Sequence, residues 1–97
     1  MNKQEILNQL TNHAGQIRQL FSVKELSIFG SVARDQADEN SDVDLLVEFD
    51  KKADFDSFMD LKFYLEDLLG TRIDLVTRNA LRPRLSQLIE QELIHVA

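Results

Sequence analysis

Apolar residues recur along this chain at two different spacings, and each change of spacing marks an element. Ile6, Leu7, Leu10, Ala14, Ile17, Leu20 and Phe21 return at the interval of a helix with one buried face. Asn2 followed by Glu5 has the form of a capping box, so one first helix is expected here, packed on a sheet. Leu26-Ser27-Ile28-Phe29 then alternates as a strand, Gly30 ends it, and Ser31 stands where a short helix would start. Asp42 to Phe49 and Thr71 to Thr77 are two further alternating, strand-like runs. Between them a helix is expected from about Asp56 to Leu69, stopped by Gly70, with Phe58, Leu61, Leu65, Leu68 and Leu69 as its apolar stripe. Met59 and Phe63 fall outside that stripe; cover by the chain's own loops and use as a partner surface both remain open. Pro83 suits the first position of a last helix, whose buried face is marked by Leu85, Leu88, Ile89 and Leu93. This order of elements predicts an α/β (α+β) domain with a small mixed sheet of three to four strands, a single domain over residues 1–97.

The polar positions on these elements carry the chemistry. Glycine at 30 lets a backbone approach a ligand, the free N–H groups of a following helix attract anions, and Ser31 adds a hydroxyl. A bare Gly-Ser is nonetheless most often an ordinary capped turn. In the next strand Asp42 and Asp44 share one face, with Val43, Leu45, Val47 and Phe49 on the other. Side chains so placed start roughly 7 Å apart, near enough to share a divalent ion, and their like charges repel unless neutralised. Hard carboxylate oxygens suit magnesium, which also binds phosphate oxygens. Alone, that pair is most often a solvated strand end. Asp74, between Ile73 and Leu75, is a third mid-strand acid, and it joins the other two on the open face if both strands bury their apolar sets in one core.

Composition bounds these readings. The chain has 97 residues, 43% of them hydrophobic, which fits one small domain with a stability of roughly 5 to 15 kcal/mol. With no cysteine, thiol catalysis, disulfides and cysteine zinc sites are excluded. No apolar run reaches the roughly 18 residues of a membrane span, and the start lacks a signal core, so no membrane association and a cytoplasmic location are expected. A net charge of −6 argues against direct nucleic-acid binding. Acids dominate from Asp35 to Asp67, whereas Arg72, Arg78, Arg82 and Arg84 cluster afterwards, an arrangement that suits a metal-bound triphosphate. His13 and His95 lack ligand-like neighbours and are expected to be structural.

Gly-Ser, ten residues, Asp-any-Asp and a later strand Asp together resemble the DNA polymerase beta-type nucleotidyltransferase superfamily. With so short a chain, the resemblance narrows to the minimal nucleotidyltransferases, and among them to the MntA-like antitoxins paired with HEPN-domain toxins. It implies a polymerase beta-like nucleotidyltransferase fold. It further implies that Gly30 and Ser31, with Arg34 and Ser41, hold the nucleotide, and that Asp42, Asp44 and Asp74 ligate metal, Asp74 also helping to activate the attacking hydroxyl. Arg78, Arg82 and Arg84 are candidate phosphate or partner contacts. The implied cofactor is Mg2+, two ions, with ATP as co-substrate.

The implied function is that of the antitoxin in a type VII toxin–antitoxin system. Its reaction would carry AMP from ATP to a tyrosine hydroxyl of the HEPN toxin, releasing pyrophosphate and neutralising that toxin. Two alternatives stand beside it: a non-catalytic antitoxin that blocks the toxin by contact, and a small-molecule nucleotidyltransferase, for which the chain offers no second domain to form an acceptor pocket. One position departs from the family pattern. Asp35 stands where glycine is common, and a charge there would weaken triphosphate binding if the turn survives at all.

Overall fold

β-branched and aliphatic residues in alternation build the centre of the molecule. A computed structural model describes residues 2–38 and 40–97. Strands β1 (Val23–Phe29), β2 (Val43–Phe49), β3 (Ile73–Thr77) and β4 (Ile94–His95) form one mixed sheet in the order β3-β2-β1-β4. β1 runs antiparallel to both β2 and β4, while β2 and β3 are parallel. A parallel pair needs a long crossover, and helix α4 (Phe55–Leu69) supplies it.

The helices cover one face. α1 (Lys3–Asn12), α2 (Ala14–Phe21) and α4 bring Ile6, Leu10, Ile17, Leu61, Leu65 and Leu69 onto Val23, Leu26, Ile28, Val43, Leu45, Val47, Ile73 and Leu75. Val23 and Leu26 share this core although their spacing is odd. The register slips between Val23 and Glu25, where β1 carries one residue more than β2, and such a bulge turns the strand over. α4 begins where Asp54 Oδ1 accepts the Ser57 N–H at 2.8 Å, and it ends on Gly70 in the left-handed conformation. No helix among the described residues is long and apolar enough to cross a membrane.

The first and last helices depart from expectation. The first helix is two helices, broken at His13, which closes α1 and precedes α2. The His13 ring nitrogen meets the Gln9 carbonyl at 2.8 Å, and Gly15 just beyond is a weak helix former that favours a break. Leu20 is consequently exposed rather than part of the buried stripe. In the last helix, α5 (Pro83–Glu90), only Ile89 is buried, whereas Leu85 and Leu88 are 48% and 61% exposed. α5 ends before Leu93, because the chain turns there into β4, a strand that the pattern did not announce.

Candidate active site

The site is assembled on the sheet face that α1, α2 and α4 leave open. Phe29 and Asp44 are register partners of β1 and β2, so the residue after Phe29 lies against the Asp44 side chain. That residue is Gly30, with φ +75°, at the start of the short helix α3 (Gly30–Ala33). A Cβ at this position would run into the Asp44 carboxylate. Glycine is therefore required twice here, for its backbone conformation and for the space it leaves to an acid.

Asp44 and Asp74 are register partners in the parallel pair β2 and β3, so both side chains emerge side by side on one face. The consequence is electrostatic. The Asp44 carboxyl is pushed up to about 6, first by burial, then by the Asp74 charge and a hydrogen bond with Asp74, then by Asp42, with Arg34 opposing. Asp42 precedes β2 by one residue and pairs instead with Arg72, Nε to Oδ1 at 3.2 Å, across the mouth of the same two strands. Asp44 and Asp74 thus meet directly, while Asp42 acts on Asp44 through its charge and is itself paired with Arg72. Among the described residues, no group of three His, Cys, Asp or Glu side chains is gathered as a metal cluster.

The donor set still fits a divalent cation. Two carboxylates forced together, one resisting ionisation, are relieved by a positive ion between them, and their hard oxygens match magnesium. Asp42 and Arg72 are 45% and 78% exposed, and so open an ion pair is worth little, which leaves Asp42 free to exchange partners.

The other expected site residues divide. Arg34 lies near Asp44 and donates from Nη1 to Glu92 Oε2 at 2.8 Å and from Nε to Gln36 at 3.2 Å. Ser31 is half-buried in the first turn of α3. Ser41 is engaged in the loop, where its hydroxyl accepts the Asp38 N–H and donates to Asp38 Oδ1. Asp35 adopts φ 58°, the left-handed backbone that glycine commonly supplies, so the turn persists with the charge exposed.

Arg78, by contrast, lies beyond the far end of β3 and meets Glu25, Glu48 and Glu90 rather than the acidic pair. It borders a groove of about 750 Å3 with Phe49, Lys51, Phe55 and Phe58, at the opposite end of β2 from Asp44. Arg82 and Arg84 stand exposed at the start of α5. Two contacts were not foreseen from the sequence, although Arg72 itself stood in the expected arginine cluster. Arg72 left no signal as the partner of Asp42, and Glu92, which binds both Gly30 and Arg34, sits in no motif and 58 positions from Arg34.

The chain as a whole is similar to known proteins. A model of the nucleotidyltransferase domain matches residues 10–96. Over 93 residues the chain is 40% identical to the protein adenylyltransferase MntA of Thermococcus cleftensis, covering 96% of this chain and 94% of that protein. A solved chain described as a candidate minimal nucleotidyltransferase superposes with a TM-score of 0.84 at 36% identity, covering 97% of this chain and 95% of the other. The fold also recurs in the complex of tri-AMPylated Shewanella oneidensis HEPN toxin with its MNT antitoxin, with a TM-score of 0.68 at 17% identity, covering 94% of this chain and 71% of that one. With a family match over nearly its whole length and so similar a relative, the chain belongs to the nucleotidyltransferase domain family.

Proposed function

We propose that this chain is a Mg2+-dependent protein adenylyltransferase serving as the antitoxin of a HEPN toxin, with ATP as donor and a tyrosine hydroxyl of the toxin as acceptor. The observation that carries the reading is the Asp44–Asp74 register pair lying against the Gly30 turn. Support comes from the MntA relative and from the shared fold of a complex whose toxin carries AMP groups.

Asp44 and Asp74, joined by Asp42 once it leaves Arg72, would hold the magnesium, which supplies neutralising charge to the triphosphate. Gly30 N–H, the Ser31 hydroxyl and the Arg34 guanidinium would hold phosphate oxygens, and Ser41 keeps the intervening loop in place. The acceptor oxygen forms a bond to the α-phosphorus as the bond to pyrophosphate breaks. Its proton passes to the Asp74 carboxylate, the more exposed member of the pair and hence the one open to an arriving macromolecule.

The test is intact mass of a HEPN partner incubated with the chain, ATP and magnesium. The wild-type protein should add one or more AMP groups, while Asp42→Asn and Asp44→Asn should transfer at least about a hundredfold more slowly without unfolding. Unimpaired transfer by both variants would sink this mechanism. The contact-blocking reading keeps one observation in its favour, the exposed Phe63 on α4. It requires that the toxin be neutralised equally well without ATP.

A further inference from the structure

Glu92 lies in the turn between α5 and β4, and both of its carboxylate oxygens are engaged at the site. Oε1 accepts the Gly30 N–H at 2.9 Å and Oε2 accepts from Arg34 Nη1 at 2.8 Å. The turn is held on both sides. The Glu92 N–H donates to the Ile89 carbonyl at 2.9 Å, and two residues later Ile94 and His95 pair with Ile28 and Ser27 of β1. Glu92 is thus fixed at the mouth of the Gly30 turn, its side chain only 23% exposed.

A carboxylate that offers two oxygens to a backbone N–H and a guanidinium presents the same acceptor pattern as a phosphate group. Gly30 has one amide hydrogen. It cannot serve Glu92 and a phosphate oxygen at full strength together, and a carboxylate left beside a triphosphate adds like-charge repulsion. Gly30 already has the Asp44 carboxylate against its Cα, so the space around it is confined on two sides by acids.

We propose that Glu92 is an internal occupant of the phosphate subsite, which an incoming triphosphate must displace from Gly30 and Arg34. The inference rests on the assignment of Gly30 and Arg34 as phosphate donors made above. Nucleotide affinity is then set by competition with the chain's own carboxylate, and the resting site is held in an ordered but closed state. Glu92 touches no reacting atom; it acts through the two donors.

Calorimetric titration of wild-type protein and Glu92→Gln with magnesium-ATP, and separately with inorganic tripolyphosphate, tests this. Glutamine keeps one oxygen acceptor but loses the charge, so both probes should bind about tenfold more tightly to the variant. Equal or weaker binding to Glu92→Gln would overturn the proposal and make Glu92 a strut for the turn, and so would failure of either probe to bind both proteins. Should the variant fold poorly, the wild-type protein decides. Saturating tripolyphosphate should move the Gly30 amide and the Glu92 side-chain carboxyl resonances together, and an unmoved Glu92 carboxyl refutes displacement. Tighter binding to Glu92→Gln without transfer to any toxin would count against the proposed function alone.

Discussion

Asp44 concentrates the electrostatic perturbation of the candidate site in one side chain. Its carboxyl titrates near 3.8 in the unfolded chain and is pushed up to about 6 in the folded one, by burial first and by Asp74 next. The folded state therefore binds more protons between these values. The stabilisation linked to Asp44 is fully present below pH 3.8 and is lost as pH rises through about 6. For a half-exposed group, with screening allowed for, the effect is on the order of 1 kcal/mol. Asp44→Asn should accordingly melt higher than wild type at pH 7.5 without divalent ions, and the difference should close towards pH 4. Magnesium should raise the melting temperature of the wild type and leave the variant unmoved. Thermal melts across this range, with and without the ion, check both statements, and a variant that is less stable at pH 7.5 contradicts them.

Elements, rather than single residues, decide where these acids stand, and their ends are set by glycines of two kinds. Gly70 stops α4 at φ +67°, and nothing lies within 4 Å of the position a Cβ would take. Gly70→Ala should thus cost only backbone strain, about 1 kcal/mol in urea denaturation, with nucleotide binding intact. A loss beyond about 3 kcal/mol would mean that the end of α4 does more than turn the chain. β2, β3, α4 and the second half of β1 were legible because each repeats its period over enough residues to be distinguished, and because Gly70 stops α4. The Asp54 cap, by contrast, was passed over as loop, and the start of β1 at Val23 was hidden by the bulge that breaks its alternation. β4 was not, since two residues have no period and Leu93 to Val96 continues the apolar spacing of α5. The same limit applied to the site. Asp44 and Asp74 follow from strand alternation and shared burial, whereas Asp42 alternates with Asp44 in sequence but precedes the strand, where the sheet register delivers it to Arg72. Glu92 reaches Gly30 only through the pairing of β4 with β1, which no local pattern encodes.

The sheet divides the molecule into a face packed by the core and a face that carries the candidate site. The core cluster lies with α1, α2 and α4, while Leu46 and Ile89 are buried apart from it on the side where α5 lies. With so little apolar cover, α5 needs another tether, and Arg78 supplies one by joining Glu25 of β1, Glu48 of β2 and Glu90 of α5. Arg78 is 31% exposed, so the network is partly screened, and its loss should cost roughly 1 to 2 kcal/mol. The salt dependence gives the sharper reading. In the wild type added salt weakens attraction around Arg78, whereas in Arg78→Gln the same glutamates face one another unneutralised and salt screens repulsion. The stability gap between the two proteins should therefore narrow when urea denaturation is repeated in 1 M rather than about 0.05 M sodium chloride. A gap that stays constant with salt would show that Arg78 acts through the packing of its aliphatic stem and not through its charge.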